Sequence, residues 1–598
     1  MILQRKFLST LSIAGILIGT GCSTQQMVKM AEQQELKVNP SPLELHGDSV
    51  AFDVQATLPV NMLKKNRLYT IKTYYAYGDP TQELEQIEFK DTEFPNQKVE
   101  QPQQKRHFSF FYEDQMISGE LKIKGLVSNL EKTKYKETPE LSIAKGVITT
   151  SRLVMPSYKV LYADHGYNNQ EELIPTQVQF FFEKGSAKLR SSEVKGDAGQ
   201  KLNAFIAAKN KTKTVTIFGS HSPEGLESIN SKLAEERATV IKNFYAKQMK
   251  LYDYKNMADS IKFETKAVFQ DWASFKTKVQ ASTSLTAEDK AAVLAIINGS
   301  AGSFHDKEKE LSKLPVYKKL TSEIYPQLRI SKTEILSVKP KKTDAEINVL
   351  AKSIVQGSAS ADTLNMEELL YAATLTPLID EKAAIYEAAT KKGSSWVAHN
   401  NLGATYVEKA GKASAADKPA LLEKAATQFK LAANLKETAI TLNNRGILEL
   451  FANKKDEAAA TYASAMSKSP DADAKKSIQA GIGVIEIMRG NYTTAIDNLG
   501  SAGDDVKNAI FNLGLAQLLN RDFTNAEKSF ETAIYINKEN ALAYYCSAIT
   551  AARQDNVAKV AIQLKEAIAL DAKLADKALT DLEFVDYWTN ETFLSALK

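Results

Sequence analysis

The sequence predicts a multidomain chain: an N-terminal all-β sandwich-like module, a central α+β domain with a helical insertion, and a C-terminal all-α repeat solenoid. Three observations carry this. Apolar and polar residues alternate in short runs between residues 38 and 160. A strand–helix–strand–helix–strand order follows from about residue 175. Small and large residues then recur at a spacing of about 34 across the C-terminal half. A length of 598 residues fits several domains.

Composition narrows the function. The chain is 43% hydrophobic and 25% charged, in the range of globular proteins. A formal charge of +4 is small for this length and does not point to nucleic acid. The six histidines are scattered and show no metal-ligand spacing with cysteine or acidic residues. No phosphate-cradling GxxxxGK[ST], no GxSxG elbow and no GxGxxG after a strand occurs. These absences argue for a non-enzyme without cofactor or metal.

The N-terminus reads as an export signal. Arg5 and Lys6 precede the apolar run Phe7–Ile18, the small residues Gly19-Thr20-Gly21 and then Cys22. The run is too short for a membrane-spanning helix. Its ending resembles the lipobox of bacterial lipoproteins, although Gly19 stands where that family prefers Leu, Val or Ile. The resemblance implies cleavage after residue 21 and acylation of Cys22, hence an outer-membrane anchor. The polar residues after Cys22 then read as a tether up to residue 37. They lack the acidic residues that follow the cysteine of some surface-exported Bacteroidota lipoproteins, which favours the periplasmic side. An ordinary secretory signal with an incidental cysteine is the alternative. With Cys22 acylated, Cys546 has no disulfide partner and reads as a small buried residue.

In the first module, alternation runs through Val50–Ala56, Tyr69–Tyr74 and Glu120–Lys124, with aromatic density at His107–Tyr112. Turn signals such as Gly78-Asp79-Pro80 separate the runs, as in an antiparallel sandwich. The aromatics read as core. No motif here carries chemistry, and contact with a membrane-protein partner is one open role.

In the second domain, Gln177–Phe182 reads as a strand, residues 192–209 as a helix, and Val215–Phe218 as a second strand. A long helix follows Gly225, and a third strand lies near Ile261–Val268. Gly219, Gly225, Asn230, Leu233, Arg237 and Ala238 fall without gaps on the motif of the OmpA C-terminal peptidoglycan-binding family, which the domain resembles. The resemblance covers roughly 175–270 and a last strand at Pro326–Ile330, with a helical insertion at about 271–325 between them, in a domain bounded at 175–340. It implies a site at Ser222, Asn230 and Arg237 for the peptide stem of the wall. Asn230 and Arg237 lie two turns apart on one helix face, and a guanidinium suits a carboxylate. Ser222 stands where the family has the aspartate that takes the stem's ammonium, so half of the charge complement is missing. Glu224 could replace it in a reshaped loop. Ser222-Pro223 also reads as a plain helix start, and Arg237 as an ordinary ion-pair partner.

The C-terminal repetition is seen at Gly446, Ala458, Tyr462 and Ala465; at Gly483, Ala495, Leu499 and Ala502; and at Gly514, Ala526, Phe530 and Ala533. Leu402-Gly403 with Ala425, Phe429 and Ala432 forms an earlier unit with about ten residues inserted at Gly411–Leu421. These residues resemble tetratricopeptide repeats and place a helical domain at 343–598. Stacked repeats form a continuous core and a concave groove. The resemblance puts Asn400, Asn443, Ile447, Phe511, Leu515 and Leu518 on that groove, where a peptide would lie. Phe511 and Leu515 read equally as interhelical packing. Phe584, Tyr587, Trp588 and Phe593 read as a terminal cap. Together the parts read as an envelope scaffold joining the outer membrane to peptidoglycan, to an assembly or secretion complex, or to both. A wall tether without a dedicated repeat partner is a second reading, and an enzyme in the β module a third.

Overall fold

A computed structural model describes residues 23–598 apart from residues 80, 253, 255–259 and 300–301. Cys22 and the signal segment lie outside the described residues. The chain divides into two compact units, one of residues up to Gly166 together with Asn348–Lys598, the other of Tyr167–Ile347.

The described part of the first unit opens on a helix, Ser23–Ala31, where a polar tether was expected. Met27 and Ala31, one turn apart, are buried in the β core. Ten strands follow: β1 Glu35–Asn39, β2 Leu43–His46, β3 Ser49–Thr57, β4 Arg67–Ala76, β5 Thr81–Lys90, β6 Gln103–Phe111, β7 Glu120–Asn129, β8 Tyr135–Glu137, β9 Leu141–Lys145 and β10 Val147–Ile148. One sheet has the order β1-β3-β2-β10 with β6 on β3, the other β5-β4-β7-β8 with β9 on β7. The pairs are antiparallel except β2/β10. Alternate residues of each strand point to one face. Val50, Phe52 and Val54 of β3 therefore share a core with Ile71 of β4 and Ile123 of β7. The strands end at Ile148, twelve residues short of the expected boundary at 160.

The rest of this unit is helical. Five antiparallel pairs follow one another: Trp396–Lys412 with Lys418–Leu435, Ala439–Phe451 with Lys455–Ser467, Ala472–Arg489 with Tyr492–Ala502, Ala509–Leu519 with Phe523–Ile536, and Ala541–Arg553 with Val557–Leu570. One rule closes each of the first four pairs. A Cβ on Gly403, Gly446, Gly483 or Gly514 would stand 2.5–2.9 Å from Phe429, Tyr462, Leu499 or Phe530 respectively. A bare backbone on one helix thus receives the large side chain of the next. The expected insertion near 411–421 takes the form of longer helices, 17 and 18 residues against 13 in Ala439–Phe451. At the C-terminus, Phe584 and Phe593 cover the last pair, with ring centroids 5.6 Å apart. Cys546 is fully buried, and burial pushes its thiol far above the ordinary range, so it stays protonated.

The second unit holds a four-stranded sheet of β11 Leu173–Phe181, β12 Thr212–Ser220, β13 Lys262–Val268 and β14 Ile330–Val338 in the order β11-β14-β12-β13. Only β12/β13 are parallel. The helices Asp197–Ala207 and Glu227–Leu251 bury Leu202, Ile206, Ala238 and Ile241 in the same core as Val215 and Ile217. The insertion forms the helices Trp272–Ala281, Ala287–Asn298 and Phe304–Leu311 around a separate core that includes Phe275, Val293 and Leu320. The last strand starts at Ile330, not at Pro326: Tyr325–Leu328 is a 3-10 turn with proline in its first residues. Among the described residues no helix is long and apolar enough to cross a membrane.

Candidate functional site

The stretch after β10 leaves the sheets and lies extended against the first helices of the repeat pairs. We call Val154–Ala163 the strap. In extended chain, the N–H and C=O of one residue point to the same side, and the next residue's point to the other. Met155, Lys159, Leu161 and Ala163 turn both groups toward the helices, Ser157 is reached through its hydroxyl by Asn512, and the Pro156 carbonyl accepts from Asn508 (2.9 Å). Asn512 accepts from Met155 N–H (3.0 Å) and donates to its carbonyl. The Ser477 hydroxyl accepts from Lys159 N–H (3.0 Å) and donates to its carbonyl (2.9 Å). Asn444 does the same at Leu161 (3.0 and 2.8 Å). Asn401 repeats it at Ala163 (2.7 and 2.9 Å). A side-chain amide carries one acceptor and a donor pair at the separation of the backbone's own groups, so each contact resembles one rung of a sheet.

The expected groove residues divide into two sets. Asn400 and Asn443 are fully buried and belong to the ladder. Asn400 donates to Leu161 O (3.0 Å) and to the Asn401 amide oxygen, and Asn443 donates to Lys159 O (3.1 Å) and to the Asn444 amide oxygen. Phe511, Leu515 and Leu518 lie in the apolar core of the later repeats, Phe511 with its ring 5.9 Å from Phe530. Ile447 is buried as well. Sequence reasoning missed Asn401, Asn444, Ser477 and Asn512. A signal was present: Asn401, Asn444 and Asn512 each stand two residues before the repeat glycine at 403, 446 and 514. In the remaining repeat that position is Gly481, and Ser477 one turn earlier fills the gap.

Side chains hold the strap from both faces. Leu161 joins the core of Leu442, Tyr462 and Ile478, while Tyr158, Val160 and Tyr162 lie against Val407 and Phe429. Lys159 pairs with Asp505 (2.8 Å) and Asp473 (3.3 Å); the lysine lowers the Asp505 carboxyl, and the two carboxylates raise the lysine. Tyr158 and Lys507 exchange backbone hydrogen bonds (3.3 and 3.2 Å) as an antiparallel bridge.

Next to the strap, β2 meets the last repeats through a buried charge cluster. Arg553 donates to Glu583 through Nε (2.6 Å) and Nη2 (3.0 Å) and to Glu44 through Nη1 (2.7 Å). Thr150 adds a bond to Glu583 (2.6 Å), and Arg521 lies 3.3 Å from Glu44. Burial alone would raise Glu44. The His46 ring 3.7 Å away, the hydrogen bond from Arg553 and the charges of Arg553 and Arg521 bring it down to about 2.

In the second unit, Ser222, Asn230 and Arg237 are all buried. Arg237 is 1% exposed and donates to the carbonyls of Ser186 (3.0 Å), Ser220 (2.7 Å) and Glu183 (3.1 Å). Burial, and then the nearby Arg329 charge, lower it to about 10. Ser222 accepts from Arg329 Nε (3.0 Å), and Arg329 also pairs with Glu224 (2.5 Å). Asn230 donates to the carbonyls of Ser222 (3.4 Å) and Glu224 (3.1 Å), which fixes the loop. The insertion adds Phe304 against the His221 ring, centroids 5.9 Å apart. Its buried Glu308 is raised by desolvation and takes hydrogen bonds from Tyr317 and Tyr325. Among the described residues no group of three or more histidines, cysteines and acidic residues could hold a metal ion.

No protein-family profile matches the chain, and no curated protein matches it. Among solved structures it is similar to the Cut9–Hcn1 hetero-tetramer of the APC/C, at 13% identity over 63% of this chain and 77% of that one, with a TM-score of 0.32. It is similar to the C-terminal part of a TPR repeat-containing protein from Cytophaga hutchinsonii, at 17% identity over 39% and 91%, with a TM-score of 0.26. Yeast Tom70 is similar at 13% identity over 62% and 78%, again with a TM-score of 0.26. Likeness at these scores decides nothing further. The class of this protein rests on its own packing: a helical-repeat array whose first helices hold an extended chain by its backbone.

Proposed function

We propose that this protein is a non-catalytic scaffold of the bacterial envelope, held to the outer membrane by a lipid on Cys22 and working through protein–protein contact at its repeat array. The observation that carries this reading is the ladder of buried amide and hydroxyl side chains along the face of the repeats' first helices. Such a face recognises main chain. The export signal and Cys22 support the location. The helix starting at Ser23 packs into the β core, so an acylated Cys22 would seat the β sheets directly on the membrane rather than on a flexible leash. Each buried methylene contributes about 0.8 kcal/mol to anchoring. The test is purification from membranes in mild detergent. The native chain should fractionate with outer membrane and bring a defined protein partner. Cys22→Ser should move it to the soluble fraction, and an unchanged membrane fraction would reject the anchor.

The OmpA-like reading of the second unit gives it contact with the wall, and the geometry assigns Arg237 an internal role there. Arg237→Met keeps the aliphatic stem and removes three donors, to the buried Ser220 carbonyl and to the less buried carbonyls of Ser186 and Glu183. We expect it to lower the stability of this unit and to leave co-sedimentation with isolated sacculi unchanged. Loss of sedimentation in a variant with native circular dichroism would restore Arg237 as the stem clamp.

A further inference from the structure

Along Lys159–Ala163 the ladder uses one edge of the strap; the other edge is taken by this chain only at Pro156, whose carbonyl accepts from Asn508, and at Tyr158, which pairs with Lys507. Lys159, Leu161 and Ala163 are satisfied by the helices, whereas among the described residues neither the N–H nor the C=O of Val160 or Tyr162 has a hydrogen-bond partner. These two residues are half-buried, and unpaired backbone groups persist where water reaches them. The open edge continues the line of the Tyr158–Lys507 bridge, where the chain already pairs one residue in antiparallel fashion. The strap is thus an extended strand with a helical wall on one side, a single-residue start of a ladder on the other, and unused donors and acceptors beyond it. Edges of this kind are templates for strand addition.

We propose that the strap is the docking edge of the array: a partner's extended peptide segment adds beside Val160 and Tyr162 and extends the ladder begun at Lys507. This rests on the reading of the array as an interaction surface and names the partner's chemistry, an extended main chain free to donate and accept at alternate residues. The groove is then no empty receptor. Its amides hold the strap, and the strap presents the edge.

The probe is a phage-displayed library of random twelve-residue peptides, selected on the purified full chain. Enriched peptides are expected to bind in the micromolar range. N-methylation at alternate positions along one peptide edge should weaken them at least tenfold, and methylation at the intervening positions should not. Val160→Pro removes an open-edge donor without touching any rung, and should also weaken binding at least tenfold. In hydrogen exchange, the Val160 and Tyr162 amides should exchange faster than those of Leu161 and Ala163 in the free chain and slow on peptide addition. Should Val160→Pro fail to fold, methylation and exchange still decide. The proposal is overturned if no peptide is enriched, if binding ignores the methylation register, or if Val160 and Tyr162 are already as protected as Leu161. Failure here with a partner still co-purifying from membranes would reject strand addition and leave the scaffold reading standing.

Discussion

Arg553→Met is expected to destabilise the first unit by about 3–5 kcal/mol, the cost of leaving a buried carboxylate without its partner. Glu583 has only 2% of its side chain exposed, and its oxygens are taken by Arg553 and Thr150. Methionine keeps most of the arginine's volume, so the loss reports charge rather than a cavity. Adding Glu583→Leu should return a good part of it, because replacing a buried pair by apolar side chains is often near neutral. Urea titration followed by circular dichroism measures all three proteins, and a loss below about 1 kcal/mol for the single variant would remove the cluster from the account. The same cluster sets an acid limit. Glu44 is held at about 2 against an ordinary value of 4.5. A depressed acid contributes its full stabilisation above the unfolded value and loses it as pH falls from about 4.5 toward 2. The shift corresponds to about 3 kcal/mol at most. Glu44→Gln should therefore cost stability at pH 7 and flatten the decline below pH 4.5.

The sequence was most informative where side-chain size follows a rule. Gly403, Gly446, Gly483 and Gly514 with their large partners define the helix pairs, and alternation in β3 and β7 defines the sheets. It misled where buried faces are polar. On β14 the inward residues include Ser331, Thr333 and Ser337 beside Ile335, so hydrophobic alternation is absent and the strand was placed too early. The strap failed differently. It carries no reading of its own in the sequence and belongs to no strand of either sheet. Its partner is a row of helix side chains more than two hundred residues away, which local pattern cannot encode. Arg237 and Asn230 are both buried residues of the helix Glu227–Leu251. Spacing does not fix whether a long side chain runs outward or folds back, and here the carbonyls of Glu183, Ser186 and Ser220 draw it in.

The ladder makes its own large prediction at Asn444. This side chain is fully buried and bonds to Leu161 N–H, Leu161 C=O and the Asn400 amide oxygen. In Asn444→Ala the Leu161 carbonyl keeps Asn400, but the Leu161 N–H and the Asn400 oxygen are both orphaned. At about 1–3 kcal/mol for each buried unpaired group, the loss should be about 2–5 kcal/mol. Asn512→Ala should cost less. Its principal strap partner, Met155, is only half-buried, so water can replace the amide. The two variants separate local from global effects. Asn444→Ala should abolish slow exchange of the Leu161 and Ala163 amides together, because the Asn400–Asn444 contact links neighbouring rungs. Asn512→Ala should leave both protected. Equal and small losses in the two variants, with Leu161 still protected, would mean that apolar contacts of Leu161 and Tyr162 seat the strap and the amides only follow. The order of the two costs thus decides whether backbone recognition or side-chain packing fixes the strap, and with it whether the edge at Val160 and Tyr162 is held rigid enough to pair with another chain.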